Sequence, residues 1–193
     1  MHKEEIEIFY PENIQEWRTW LEQYHLLKKS VWVVFYKKSA KKASITWSES
    51  VDVALCFGWI DSKKIKIDEE KSHQFFSKRK AISTWSKINK LKVEQLIANG
   101  LMHDEGFKSI DTAKQNGSWT ILDDVEALIV PTDLNEALKS SPQAKDFFDQ
   151  LSNSNKKAML QWLVLARRVE TRQQRINEIV TLAAQKLKPK HIP

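Results

Sequence analysis

The residues of this chain with the most chemical potential lie in and just after CFGWIDSKK, residues 56–64, where Asp61 follows Trp59 and precedes Lys63 and Lys64. On a strand, alternate residues share a face, so Trp59 and Asp61 project together. A hairpin whose loop is residues 68–72 sets Ile65 opposite Phe75 and Asp61 opposite Arg79. A register slipped by one sets Asp61 opposite Lys78 and pairs Ile65 with Gln74, a poorer apolar match. Either pairing gives the acid a cation. If the pair only closes the hairpin, it is worth about 0.2–1 kcal/mol. If it is functional, Asp61 and Arg79, walled by Trp59 and Trp85 and joined by Ser86 and Asn89, form a concave polar site for a small anionic or polar ligand. Asn89 stands four residues from Trp85, which on a helix places the two on one face.

The remaining reactive residue types point away from catalysis. His2, His25, His73, His103 and His191 are dispersed, with no paired spacing that would ligate zinc. Cys56, the single cysteine, sits in an apolar helix and reads as an inert core thiol. There is no Gly-x-Ser-x-Gly elbow, and with four glycines in all the chain has no phosphate-cradling loop. No cofactor or metal is implied, and the balance leans against an enzyme; an enzyme of unknown class using the Asp61/Arg79 face is one alternative. A second alternative is nucleic-acid binding. The net charge of +6 is concentrated in the middle, with +4 over residues 28–60 and +6 over residues 61–92. Arg167, Arg168, Arg172 and Arg175 add a basic cluster near the end. No nucleic-acid motif accompanies them, and most of the eight tryptophans sit at core-like spacing.

These candidates need elements to position them. The 193 residues suffice for one sizeable core or two small ones without disulfide or metal staples. A lone cysteine, the lack of a signal-peptide pattern after Met1, and the lack of any run long enough to span a membrane lead to the expectation of a cytoplasmic protein. Residues 6–10 alternate like a short strand that Pro11 ends. Residues 13–24 place Ile14, Trp17, Trp20, Leu21 and Tyr24 at helical spacing, and VWVVFY, residues 31–36, reads as a buried strand. Thr46 and Glu49 form a capping box for a helix, apolar nearly all round, that Gly58 stops. A hairpin follows over residues 59–67 and 73–79. Ser83 or Thr84 can cap a helix through Asn99, and Asp104 opens another that ends near Asn116 and Gly117. Beyond residue 125 the periodicity is purely helical: Ala144, Phe147, Phe148 and Leu151, then Met159, Trp162, Leu163 and Ala166, then a helix opening at Thr171 with Ile176, Ile179 and Ala183 inward. The expected architecture is α+β: a small antiparallel or mixed sheet packed with helices over residues 1–125, then an all-helical unit over residues 126–193.

Several segments carry a family resemblance. WRTWLEQYH, ITWSESVDVALCFGWIDSKK, STWSKINK, GLMHDEGFKSIDTAKQNGSW and the stretch from PTDLNEAL to RRVETRQQRI resemble, in order and over nearly the whole chain, the bacterial YdeI/OmpD-associated (bacteriocin-protection) family. Where that family usually has Pro-Arg after the second hairpin strand, this chain has Lys78-Arg79. The resemblance implies a link to tolerance of antimicrobial peptides or bacteriocins and association with a porin as protein partner. It implies no catalytic residues, and its periplasmic connotation stands against the cytoplasmic expectation. The reading that follows is a non-catalytic ligand- or partner-binding protein.

Overall fold

A computed structural model describes residues 6–192. His2 lies outside the described residues. Two compact units meet in sequence between Trp119 and Thr120, and each has its own core.

The first unit is α+β. Its strands are β1 (Ile8–Phe9), β2 (Ser30–Tyr36), β3 (Trp59–Lys66) and β4 (Lys71–Lys78), in the order β1-β2-β4-β3. The sheet is mixed, because β1 runs parallel to β2 while the other two pairings are antiparallel. Helix α1 (Ile14–Tyr24) is capped by Asn13, whose side chain accepts the Glu16 amide, and it turns Trp17, Trp20 and Leu21 inward. Trp17 and Trp20 stack with centroids 5.3 Å apart, and the Trp17 Nε1–H donates to the Ser50 carbonyl at 3.0 Å. Burying side chains of this size stabilises the fold by roughly 1.5–3 kcal/mol each, or more for indoles.

Helix α2 (Trp47–Cys56) opens on the Thr46/Glu49 capping box, with the Glu49 amide on Thr46 Oγ1 at 3.2 Å and the Thr46 amide on Glu49 Oε2 at 2.7 Å. These hydrogen bonds hold the Glu49 carboxyl below the usual range. Val51 and every residue from Val53 to Phe57 are buried, so the helix is wrapped by the core as its composition demands. Gly58 ends it at φ +68°, a conformation that suits glycine. Helix α3 (Lys87–Ala98) is capped by Ser86 rather than by Ser83 or Thr84. Helix α4 (Asp104–Gln115) starts against the end of α2: the His103 amide donates to the Cys56 carbonyl at 3.1 Å. Both sides of that contact are glycines, since a Cβ on Gly106 would lie 2.2 Å from the Cys56 carbonyl oxygen and one on Gly58 2.9 Å from that of Glu105.

The second unit is helical: α5 (Asp123–Glu126), α6 (Thr132–Lys139), α7 (Pro142–Gln150), α8 (Asn153–Val164) and α9 (Val169–Ala184). Leu134, Leu138, Phe148, Leu160, Leu163 and Ile179 are central to its core. The stretch 121–131, across the expected boundary at residue 125, contains α5, and α6 follows it. Arg172 of α9 grips Asp133 of α6 with Nε and Nη2, at 2.6 and 3.0 Å. No helix among the described residues is long and apolar enough to cross a membrane.

Candidate functional site

The β3–β4 hairpin decides where the candidate residues go. Its register differs from both sequence alternatives: Trp59 pairs with Lys78, Asp61 with Phe76 and Ile65 with His73. There are two physical reasons. Asp68 Oδ1 accepts the amides of Glu70 and Lys71 at 2.8 and 2.9 Å, which tightens the tip and starts β4 at Lys71. An irregularity between Asp61 and Lys64 then offsets the rest of the ladder by one residue. The acid therefore faces an aromatic ring, not a cation. Its Oδ2 accepts the Trp47 indole N–H at 2.9 Å and the amide of buried Gln74 at 3.3 Å, and Gln74 also donates to the Ser62 carbonyl at 3.0 Å. Asp61 and Arg79 form no ion pair among the described residues; the carboxylate acts on Arg79 only through charge at a distance.

Arg79 stands just beyond the ladder, its backbone amide on the Gly58 carbonyl at 2.9 Å. Its guanidinium lies 3.7 Å above the Trp85 ring, which is backed by Trp119 at 4.9 Å, and Nη1 donates to the Thr84 carbonyl at 3.0 Å. Nε and Nη2 are buried and have no protein partner. Burial lowers the Arg79 pKa to about 10, with the Asp61 charge opposing that shift.

Arg79 lines a cavity of about 260 Å³ together with His25, Gly58, Trp59, Glu105, Ser109 and Thr112, among others. Two more buried polar atoms without a protein partner belong to residues of its lining: Trp59 Nε1 and His25 Nε2. Trp59 is fully buried, edge-on to Trp20 at 5.7 Å. His25 caps α1, with Nδ1 2.7 Å from the Leu21 carbonyl. A carbonyl can only accept, so Nδ1 carries the proton and Nε2 of the neutral ring is an acceptor. Every buried side-chain polar atom without a partner among the described residues is thus on His25, Trp59 or Arg79. Such atoms are rare in folded proteins and cost about 1–3 kcal/mol each, so three residues' worth around one cavity is a concentration that calls for a cause.

The structure brings Trp59 and Arg79 of the six predicted residues to this cavity. Trp85 does not line it but stacks against the Arg79 guanidinium. Ser86 is occupied as the α3 cap, its Oγ accepting the Asn89 amide at 3.3 Å. Trp85 precedes the helix, so it shares no helical face with Asn89. Asp61, Ser86 and Asn89 do not line the cavity. His25 escaped the sequence reading because a histidine one residue past a helix gives no signal of its own. Glu105, Ser109 and Thr112, at i, i+4 and i+7 on α4, carried the only legible pattern, a polar face at helical spacing.

A second cavity, about 410 Å³, includes Arg18, Asp52, Cys56 and Lys92. Asp52 and Lys92 satisfy each other, Lys92 Nζ lying 2.5 Å from Asp52 Oδ1 and 2.8 Å from Ser48 Oγ. Burial pushes the Cys56 thiol pKa up, as expected of a core thiol. Among the C-terminal arginines, Arg172 is held by Asp133 and Arg175 covers the Trp162 ring at 4.9 Å, so both serve the second unit's packing. No cluster of three or more potential metal ligands occurs among the described residues.

Residues 9–109 match the family described as Domain of unknown function (DUF8412), and residues 127–186 match the one described as Bacteriocin-protection, YdeI or OmpD-Associated. The chain belongs to the DUF8412 family and carries a YdeI/OmpD-associated domain. The second match confirms the family suggested by the sequence and confines that model to the helical unit. The motifs ALCFGWIDS and TWSKIN fall in the first match, whose description assigns no function. Neither the curated proteins nor the solved structures contain a match to this chain.

Proposed function

We propose that this protein is a non-catalytic receptor for a small polar ligand, bound in the cavity beside Trp59 and Arg79, on a chain that also carries a bacteriocin-protection-associated domain. One observation carries the reading: the four buried side-chain polar atoms that lack a protein partner belong to three residues lining that one cavity. A fold that only needed a core would gain from apolar replacements at these positions, because an unpartnered buried polar group destabilises it. Groups kept at such a cost and fixed in orientation, Arg79 by Trp85 and Thr84 and His25 by Leu21, are what a preorganised recognition site requires.

The test is a thermal-shift screen of small metabolites on the full chain, followed by calorimetry. At least one compound is expected to raise the melting temperature. Trp59→Phe and Arg79→Met should lose that response, whereas Asp61→Ala, which alters the Trp47–Gln74 network, should keep it. A compound that stabilises wild type, Trp59→Phe and Arg79→Met equally would move the site elsewhere and end this reading.

A further inference from the structure

Resting on that reading, we infer that the ligand carries an oxyanion, a carboxylate or a phosphate, seated on the Nε–Nη2 edge of Arg79 with the Trp59 indole N–H as third donor.

The inference comes from which donors are free. A guanidinium has five N–H groups in a rigid plane, and its Nε–Nη2 edge presents two parallel ones at the spacing of two oxygens of a carboxylate or phosphate. Here the Thr84 carbonyl takes Nη1 and the Trp85 ring takes a face, so both atoms left without a protein partner lie on that one edge. Trp59 Nε1 can only donate, and it too is unpartnered. Three unpartnered donors on two lining residues, one pair of them on a cation, match an acceptor bearing negative charge.

Charge points the same way. Asp61 is hydrogen-bonded to Trp47 and Gln74 and reaches Arg79 only as a charge at a distance, and Glu105, the acid in the lining, is 2.5 Å from Lys108 Nζ. Neither is in contact with the Arg79 guanidinium. A neutral ligand could satisfy the hydrogen bonds but would leave a buried cation without a counter-charge; an oxyanion supplies both. His25 adds one more hydrogen-bonding group, because its Nε2 also lacks a partner and can pair with a hydroxyl beside the anionic group. At about 260 Å³ the cavity is below the range of drug-sized sites, which suits a small hydroxy acid or a phosphate and not a nucleotide.

The experiment titrates the full chain with inorganic phosphate, lactate and the neutral isostere lactamide, by calorimetry and tryptophan fluorescence at constant ionic strength. Phosphate or lactate should bind at least about tenfold more tightly than lactamide. Arg79→Lys keeps the charge but loses the fork, and should weaken the anion at least about tenfold; Trp59→Phe should weaken it several-fold. Urea midpoints of both variants confirm that they fold. Which probe binds distinguishes phosphate from carboxylate. Equal binding of lactate and lactamide, or an Arg79→Lys variant that binds as wild type does, overturns the oxyanion while leaving the cavity as a ligand site. If none of the three probes binds and the metabolite screen yields only neutral or cationic ligands lost in Arg79→Met, the oxyanion alone is overturned. Silence of both probes and screen overturns the receptor reading itself.

Discussion

Arg79→Met should leave the stability of the ligand-free chain nearly unchanged, an unusual outcome for removing a buried arginine. Burial brings the guanidinium down to about 10. At 1.36 kcal/mol per tenfold change, keeping it charged in the folded state costs on the order of 3 kcal/mol. Two interactions offset that cost: the stack on Trp85, worth about 0.5–2 kcal/mol, and the hydrogen bond to the Thr84 carbonyl, worth about 1.5–3 kcal/mol. Methionine removes the cost and both offsets together, and its thioether can still pack on the Trp85 ring. The expected change is within about 1 kcal/mol of zero. Truncating one partner of a satisfied buried ion pair, by contrast, costs about 3–5 kcal/mol. Urea unfolding followed by intrinsic fluorescence is the assay, because all tryptophans but Trp162 lie at or before Trp119 and the signal reports the first unit. A loss above about 3 kcal/mol would mean that Arg79 is fully satisfied without a ligand, and the argument from its free edge would fail.

Other perturbations separate structural from recognition roles. Gly106→Ala would put a Cβ 2.2 Å from the Cys56 carbonyl oxygen and 2.6 Å from Met102 Cε, so α4 must move off α2; a loss of several kcal/mol, or no soluble protein, is expected in the same unfolding assay. Asp61→Ala removes the acceptor of Trp47 Nε1 and one of two for Gln74, and should cost about 1–2 kcal/mol with a red-shifted fluorescence contribution from Trp47. In the second unit, the Arg172 hydrogen bond holds the Asp133 carboxyl below its usual range and Asp133 in turn raises Arg172. A carboxyl lowered in the folded state stabilises above its unfolded pKa, near 4, and that contribution is lost as pH falls through the lower folded value. Arg172→Met should therefore flatten the acid limb of the second unit's stability curve, by no more than about 1 kcal/mol because both side chains are partly exposed; an unaltered acid limb would refute it.

Much of the fold was legible because local chemistry and tertiary packing agree. The Thr46/Glu49 box, the stop at Gly58, the VWVVFY strand and the inward Ile176, Ile179 and Ala183 all follow from patterns that no distant contact contradicts. The hairpin register was not legible, since hydrophobic matching assumes a regular ladder and a five-residue loop. One Asx turn at Asp68 and one irregularity after Asp61 were enough to exchange Arg79 for Phe76 opposite the acid. The α3 start was misjudged because Ser83, Thr84 and Ser86 are chemically equivalent caps, and only the chain path past Trp85 selects among them. Of the site, Trp59 and Arg79 could be read as aromatic and cation at a core's edge. The third unpartnered residue could not, because His25 ends α1, far from Trp59 and Arg79 in sequence, and reaches the same cavity only in the folded unit.

The two family matches bear on different physics. The cavity is lined by residues from His25 to Thr112, all in a unit whose own core runs from Trp17 to Ala113. Its lining side chains therefore owe their positions to the DUF8412 part of the chain: Arg79 is set by the Gly58 carbonyl and the Trp85 ring, Trp59 by the strand that starts immediately after Gly58. The bacteriocin-protection description attaches to residues 127–186, whose core begins at Leu122 and includes none of these side chains. The cavity residues and the residues matched by the second family thus lie in separately cored pieces of one polypeptide. Asp61 lies in the first unit but does not line the cavity. Its carboxylate holds Trp47 and Gln74 and reaches Arg79 only as a charge at a distance, while Nε and Nη2 of Arg79 are buried without a protein partner.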